Sequence, residues 1–236
     1  MKNKPSILST MQLDPSLLNK AMDSGILLDT MSFIQVVDIS DEAAVNAQIN
    51  EIRQQKAVVI FTSASAVYAV CEHPDFVKPD WQLFCIEKAT KKAVLEYFDE
   101  SDIKGSAKDS DELAAIIKKA EGVLEVVFFC GDKRMDTLPT SLLESGIITK
   151  EVVVYKTVEQ PQFVEKEYDG ILFYSPSGVS SFFSLNEPAT ETVLFAIGNT
   201  TAQALKIEST NPVVVCDTPS KEILLYKAIS HFKENN

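Results

Sequence analysis

The chain has 236 residues, 45% of them hydrophobic, and carries 34 Asp and Glu against 22 Lys and Arg, a formal net charge of −12 at pH 7. With that excess of anions and no basic stripe, nucleic acid is excluded as the expected partner, because Lys and Arg on phosphate supply most of such affinity. No apolar run is long enough to cross a bilayer and no apolar signal core follows Met1–Pro5, so a cytoplasmic protein that works away from membranes is expected.

The first predicted strand is short, Ile7–Ser9, and Asp14-Pro15 then opens a helix that runs to Ser24 and ends at Gly25. Ile26–Ile39 reads as extended, in two strands. Asp41–Gln54 is an amphipathic helix with Ala44, Val45, Ile49 and Ile52 on one face. Strand Val58–Phe61 feeds the hydroxyl turn Thr62-Ser63 and a helix over Ala66–Glu72. After the loop His73–Pro79 come strand Trp81–Ile86, with Trp81 read as a packing residue, helix Thr90–Phe98, and a polar stretch Ser101–Lys108 with room for a short strand. Asp109 and Glu112 form a capping-box pattern for a helix to Ala120, stopped by Gly122. Val123–Cys130 is the most apolar strand and ends in Gly131-Asp132-Lys133-Arg134. That tetrapeptide has two readings: a ligand loop at the carboxyl end of a strand with Arg134 on a carboxylate, or an ordinary turn with a solvated helix start, and the second is preferred.

Helix Met135–Ser145 leads through Gly146 into a β-branched extended run, Ile147–Val158, that contains Tyr155. Gln160-Pro161-Gln162 breaks the chain. Strand Ile171–Tyr174 then enters the turn Ser175-Pro176-Ser177-Gly178 and a helix to Ser184. Strand Val193–Ile197, turn Gly198-Asn199-Thr200-Thr201 and helix Ala202–Lys206 follow. A last strand, Val213–Cys216, precedes a terminal helix from Lys221 to Phe232, capped by Thr218-Pro219-Ser220.

Two of these passages repeat. Ile60-Phe61-Thr62-Ser63 is echoed by Phe173-Tyr174-Ser175, and Leu83-Phe84-Cys85-Ile86 by Leu194-Phe195-Ala196-Ile197, each at a spacing of about 110 residues. Asp23-Ser24-Gly25-Ile26 and Glu144-Ser145-Gly146-Ile147 form a third echo at a slightly larger spacing; in both, Gly ends a helix before an extended run. Three echoes in one order imply a duplicated α/β unit. The first strand and helix match the end of the second copy better than its start, so the chain is expected to begin in one lobe, pass to the other and return. The predicted fold class is α/β, two parallel-sheet lobes joined by a two-stranded linker. The expected lobes are residues 1–33 with 158–236, and residues 34–157. The linkers fall near 32–36 and 153–158, with a ligand cleft between the lobes.

The chemistry available is sparse. Cys71, Cys85, Cys130 and Cys216 have no CxxC spacing and read as reduced thiols, Cys85 and Cys130 in the core. The two histidines, His73 and His231, lie far apart without companions at ligand spacing, so neither a zinc site nor a Ser-His-Asp triad is expected. What the repeats do offer is strand-to-helix turns rich in hydroxyls, whose unpaired N–H groups and helix dipole favour anions without needing a cation.

In order and spacing, five stretches resemble the uroporphyrinogen-III synthase family: Phe61-Thr62-Ser63; Cys130-Gly131-Asp132 with Leu138-Pro139; Val154-Tyr155-Lys156-Thr157-Val158; Phe173-Tyr174-Ser175-Pro176-Ser177-Gly178; and Ala196-Ile197-Gly198-Asn199-Thr200-Thr201-Ala202. The resemblance spans nearly the whole chain. It implies two α/β lobes with the active site in their cleft, no metal and no cofactor. It implies a small-molecule substrate, the linear tetrapyrrole hydroxymethylbilane, closed to uroporphyrinogen III plus water with ring D inverted. It places Tyr155 at the family's recurrent Tyr, whose phenol would act on the departing hydroxyl; the rival reading of Tyr155 is strand packing. The implied carboxylate holders are Thr62, Ser63, Ser175, Ser177, Gly178, Thr200 and Thr201, mostly through backbone N–H groups, with helix capping as the rival role for Ser63 and Ser175. Three positions depart from the family pattern: Glu87 stands where Gly is usual, Met135 where an Arg is expected one place after Arg134, and Ser9-Thr10 where many members place a basic residue. Two alternatives stay open: a non-enzymatic two-lobed anion-binding protein, which would share the lobes and turns, and an inactive family-derived scaffold, for which the Glu87 and Met135 departures leave room. With no heptad and no large apolar face, a monomer is expected.

Overall fold

Strands and helices alternate along the chain, which is described over residues 4–234 in a computed structural model. The first stretch holds β1 (Ser6–Ser9), α1 (Pro15–Asp23), β2 (Leu27–Thr30) and β3 (Ile34–Asp38). The middle holds α2 (Ala43–Arg53), β4 (Ala57–Phe61), α3 (Ala64–Cys71), β5 (Trp81–Ile86), α4 (Ala89–Val94), β6 (Ile103–Ala107), α5 (Ser110–Ile117), β7 (Glu125–Gly131), α6 (Thr137–Glu144) and β8 (Ile148–Glu159). The last stretch holds β9 (Gly170–Phe173), α7 (Pro176–Phe183), β10 (Val193–Ala196), α8 (Asn199–Glu208), β11 (Val213–Val215) and α9 (Lys221–Glu234).

The chain divides into two units, one built from the described residues up to Gln35 with those from Val158 onward, the other from Val36–Thr157. The first contains a five-stranded sheet in the order β11-β10-β9-β1-β2, all of its pairs parallel. The second contains a six-stranded sheet in the order β3-β8-β7-β4-β5-β6, with parallel pairing from β8 through β6. The chain passes between units inside β3 and inside β8, which are neighbours in that sheet, and the Ile39 N–H donates to the Val154 carbonyl at 3.0 Å.

The continuous apolar runs are explained by helices on both faces of each sheet. Alternation along β4 sends Val59 and Phe61 to one face with α3 and α4, and Ile60 to the other with α5 and α6. In the five-stranded sheet Leu172 and Phe195 face α1 and α9, while Ile171, Phe173 and Leu194 face α7 and α8. Each fully buried Phe or Leu contributes on the order of 1.5–3 kcal/mol of apolar transfer. Trp81 belongs to this packing: it is 3% exposed, lies against Phe98 and Phe129, and donates Nε1–H to the Ile52 carbonyl. All four cysteines are free and buried.

The third sequence echo is a shared helix stop. Gly25 and Gly146 both sit at φ +79°, and in each case the next residue's N–H reaches back to the helix, Ile26 to Ala21 and Ile147 to Leu142, both at 3.0 Å. Glycine is needed there because the left-handed conformation is costly with a Cβ. Two cap expectations change. Asp14 makes no side-chain cap; its carbonyl carries α1 instead. Asp109 does accept the Glu112 N–H, but the Glu112 carboxylate is engaged by Lys108, so the capping box is one-sided.

Candidate active site

Parallel α/β sheets bind ligands outside the carboxyl ends of their strands, at the point where strand order reverses. Each sheet has one such point. In the six-stranded sheet β4, β5 and β6 step one way and β7 and β8 the other, so the reversal lies between β4 and β7. In the five-stranded sheet it lies between β1 and β9.

At the β4/β7 reversal an open groove of about 440 Å³ is lined by Thr62, Ser63, Gly131, Lys133, Tyr155 and Thr157, with Lys108 from the β6–α5 turn and Ser110 at the start of α5 on its flank. Ser63 is the N-cap of α3: its hydroxyl accepts the Ala66 N–H at 3.2 Å, which leaves the Ala64 and Ser65 N–H groups without a partner among the described residues. Such a cap is worth about 1 kcal/mol, and the same residue sets up the free donors beside it. The helix thus begins two residues earlier than its apolar pattern implies.

Tyr155 reaches the groove through an irregularity. Cys130 pairs with Val153 but Gly131 pairs with Tyr155, so β8 carries one extra residue at this point. In unbroken alternation Tyr155 would share the face of Val153; its ring packs instead on the cluster that holds Val152 and Val154. Gly131 makes room for it: a Cβ there would lie 2.3 Å from Tyr155 Cε2. The next residue grips the same segment from both sides. The Asp132 N–H donates to the Tyr155 carbonyl at 3.2 Å, and Asp132 Oδ1 accepts the Thr157 N–H at 2.8 Å. The Tyr155 hydroxyl has no hydrogen-bond partner among the described residues.

Arg134 lines the groove, yet its guanidinium is committed. Nη1 donates to Asp136, Nε donates to Glu151, and the hydrogen bond to Asp136 leads in raising the Arg134 pKa. Lys133 makes no ion pair among the described residues, whereas Lys108 is held by Glu112 at 2.6 Å. Cys130, beneath the turn, is an inert thiol that burial pushes up to about 11.

At the β1/β9 reversal the side chains are hydroxyls. Thr10 donates Oγ1–H to the Leu172 carbonyl at 2.8 Å, and Ser9 donates to the Met11 carbonyl at 2.7 Å. With the Ser9 proton used, the Tyr174 phenol donates to Ser9 Oγ at 3.0 Å, and burial pushes that phenol up to about 12. Ser175 caps α7 by accepting the Gly178 N–H at 3.1 Å. The Gly178 N–H is therefore spent on the cap, and Pro176 has none. The Ser177 N–H is what this turn retains for a ligand.

The neighbouring turn differs from its expected form. Thr200 and Thr201 are not loop residues but the first turn of α8, whose N-cap is Gly198. A glycine cap offers no side chain, so the N–H groups of Asn199, Thr200 and Thr201 all remain open, and the first helical bond is Ala202 N–H to the Gly198 carbonyl. The Thr201 side chain is 1% exposed and packs inside, so only its backbone is available. At the equivalent β5–α4 turn the Glu87 N–H bonds the Ala107 carbonyl, Lys88 takes φ +64°, and the helix is only six residues long. That turn offers no comparable donor set.

The candidate residues thus fall into two groups, Thr62, Ser63 and Tyr155 on one sheet and Ser175, Ser177, Gly178, Thr200 and Thr201 on the other. Sequence reasoning weighed Gly131-Asp132-Lys133 as a ligand loop and preferred an ordinary turn, and it had no signal for Lys108 and Ser110, which join the groove through the placement of β6 and α5.

Two mostly parallel sheets, each with hydroxyls and helix N-termini at its point of reversal, define a two-unit α/β protein. The chain belongs to the family described as uroporphyrinogen-III synthase HemD, whose model matches residues 19–225. Its fold is also that of a uroporphyrinogen-III synthetase from Helicobacter pylori, at 20% identity and TM-score 0.67, covering 96% of this chain and 99% of that one. A mutant uroporphyrinogen III synthase from Thermus thermophilus is similar at 15% identity and TM-score 0.61, covering 98% and 100%. The family is one of enzymes. No helix among the described residues is long and apolar enough to cross a membrane.

Proposed function

We propose that the chain is a cofactor-independent uroporphyrinogen-III synthase, a hydro-lyase that closes hydroxymethylbilane to uroporphyrinogen III with inversion of ring D and release of one water. The observation that carries this reading is the groove at the β4/β7 reversal, where Tyr155 stands beside the free N–H donors that follow Ser63. The substrate carries eight carboxylates. At this groove an acidic chain can hold carboxylates with the backbone donors of Ala64 and Ser65, supplemented by Lys133.

The chemistry asked of the side chains is modest. The Tyr155 phenol donates its proton to the hydroxyl on ring A as that C–O bond breaks, giving water and an azafulvenium cation. The substituted carbon of ring D attacks it to form a spiro intermediate; the bond joining ring D to its old neighbour then breaks and re-forms at the other carbon. The proton released as ring D regains aromaticity returns to Tyr155. Because the bilane closes by itself to the uninverted isomer, the main work is holding the chain so that the spiro route wins. The working form would be a cytoplasmic monomer.

The test is to mix the purified protein with freshly made hydroxymethylbilane, oxidise the product and separate the porphyrin isomers. Isomer III above the protein-free control is expected. Isomer I alone from folded protein would refute the synthase reading and favour an anion-binding module. Tyr155→Phe is expected to slow turnover and leave the fold intact; full activity would return Tyr155 to strand packing.

A further inference from the structure

We infer that Asp132 is the positioning residue for Tyr155, holding the phenol in the groove by clamping the backbone on either side of it. The inference rests on the reading of Tyr155 as the proton donor, but its geometry stands apart from that reading. Asp132 is exposed and forms no ion pair among the described residues, so its carboxylate is not there for charge balance. What it does hold is the strand: its N–H bonds the Tyr155 carbonyl and its Oδ1 accepts the Thr157 N–H. These two bonds close a short ring around residues 155–157 just where β8 departs from regular register. A bulge re-aims a side chain only while something keeps the extra residue from relaxing into the ladder. Gly131 supplies the space for the ring and Asp132 supplies the restraint. A preorganised donor of this kind needs its support as much as its own functional group.

Acceptor geometry, not charge, is what the clamp requires. Asp132→Asn keeps an oxygen at the same reach and is expected to retain activity; Asp132→Ala removes it. The first readout is kcat against KM. Asp132→Ala is expected to lower kcat on the order of tenfold or more, toward the level of Tyr155→Phe, with KM little changed. In a Tyr155→Phe background it should cost nothing further. A purely structural role predicts the same fractional loss in both backgrounds, and that result would overturn the inference.

The second readout needs no activity. With 3-fluorotyrosine in place of the six tyrosines, the residue-155 resonance, identified by its loss in Tyr155→Phe, should shift or broaden in Asp132→Ala and stay put in Asp132→Asn. An unmoved resonance in Asp132→Ala would overturn the clamp even in an active enzyme. A moved resonance in a protein that makes no isomer III would uphold the clamp while the synthase reading falls. Asp132→Ser, whose hydroxyl falls short of Thr157, is read in the same way where Asp132→Ala folds poorly.

Discussion

Gly131→Ala is expected to destabilise the protein, and the whole cost should come from one neighbour. A Cβ at this position would meet Tyr155 Cε2 at 2.3 Å and Cζ at 2.5 Å, inside any real carbon contact. Overpacking of this sort costs about 1–3 kcal/mol. For a chain of this size that corresponds to roughly 2–4 °C in Tm per kcal/mol. The backbone itself raises no objection, because Gly131 has no positive φ. At such a position Gly→Ala on its own is stabilising by about 0.4–1 kcal/mol, through a less flexible unfolded chain. The sign should therefore depend on Tyr155. In a Tyr155→Ala background the clashing atoms are gone, and Gly131→Ala should become neutral or slightly stabilising. The assay is a double-mutant cycle of four proteins unfolded in urea under reducing conditions and followed by circular dichroism, with a coupling of about 1–3 kcal/mol expected between the two positions. Both residues lie in the Val36–Thr157 unit, so if the two units unfold separately the effect belongs to that unit's transition. Equal costs in the two backgrounds would refute the steric account of the groove.

Two further expectations follow from charge. Lys133→Gln should raise KM several-fold with kcat nearly unchanged, whereas Arg134→Gln should leave KM alone and lower stability by about 1 kcal/mol or less, since its partners Glu151 and Asp136 remain partly solvated and screened; the reverse pattern in steady-state kinetics and urea midpoints would make Arg134 the substrate ligand. Stability should also fall steeply in alkali. Burial pushes Cys71 up to about 12 and Cys85 and Cys130 up to about 11, from an ordinary 9.0, and pushes Tyr174 up to about 12 from 10.0. Above pH ~9 the unfolded chain loses thiol protons that the folded protein retains, so the folded state loses up to about 1.4 kcal/mol per pH unit for each group, with Tyr174 joining above pH ~10 and the effect ending as the folded values are passed. Urea midpoints measured in reducing buffer should decline from about pH 9 upward and less steeply in Cys71→Ala; a level midpoint through pH ~10.5 would contradict the assignment.

Much of the fold could be read directly from the chain because it is written in local chemistry. The runs Val58–Phe61 and Val126–Cys130 are apolar without alternation, as strands covered on both faces must be. Gly25 and Gly146 stop helices because nothing else takes φ +79° cheaply. Ser63 and Ser175, met as hydroxyls at the ends of such runs, cap helices and leave donors open beside them. The hydroxyl turns were visible for the same reason, and the repeated spacing showed that they belong to copies of one unit.

Helix starts were less legible. Asn199-Thr200-Thr201 are weak helix formers, and it took packing of Ala202 and Leu205 against Leu194 and Ala196 to make them the first turn of α8.

By itself, then, the sequence determined most of the elements, the Ser63 and Ser175 caps, the glycine helix stops and the repeated hydroxyl turns, because periodicity and capping act over a few residues. Only the tertiary structure decided which strand lies beside which. Residues 62, 131 and 155 share a groove because β7 settles against β4 and β8 slips one residue past Gly131. It also decided that Arg134 is taken and Lys133 is not, since Glu151 lies on another strand. Strand adjacency and bulges are set by how whole faces pack, a non-local quantity that no short stretch of chain contains.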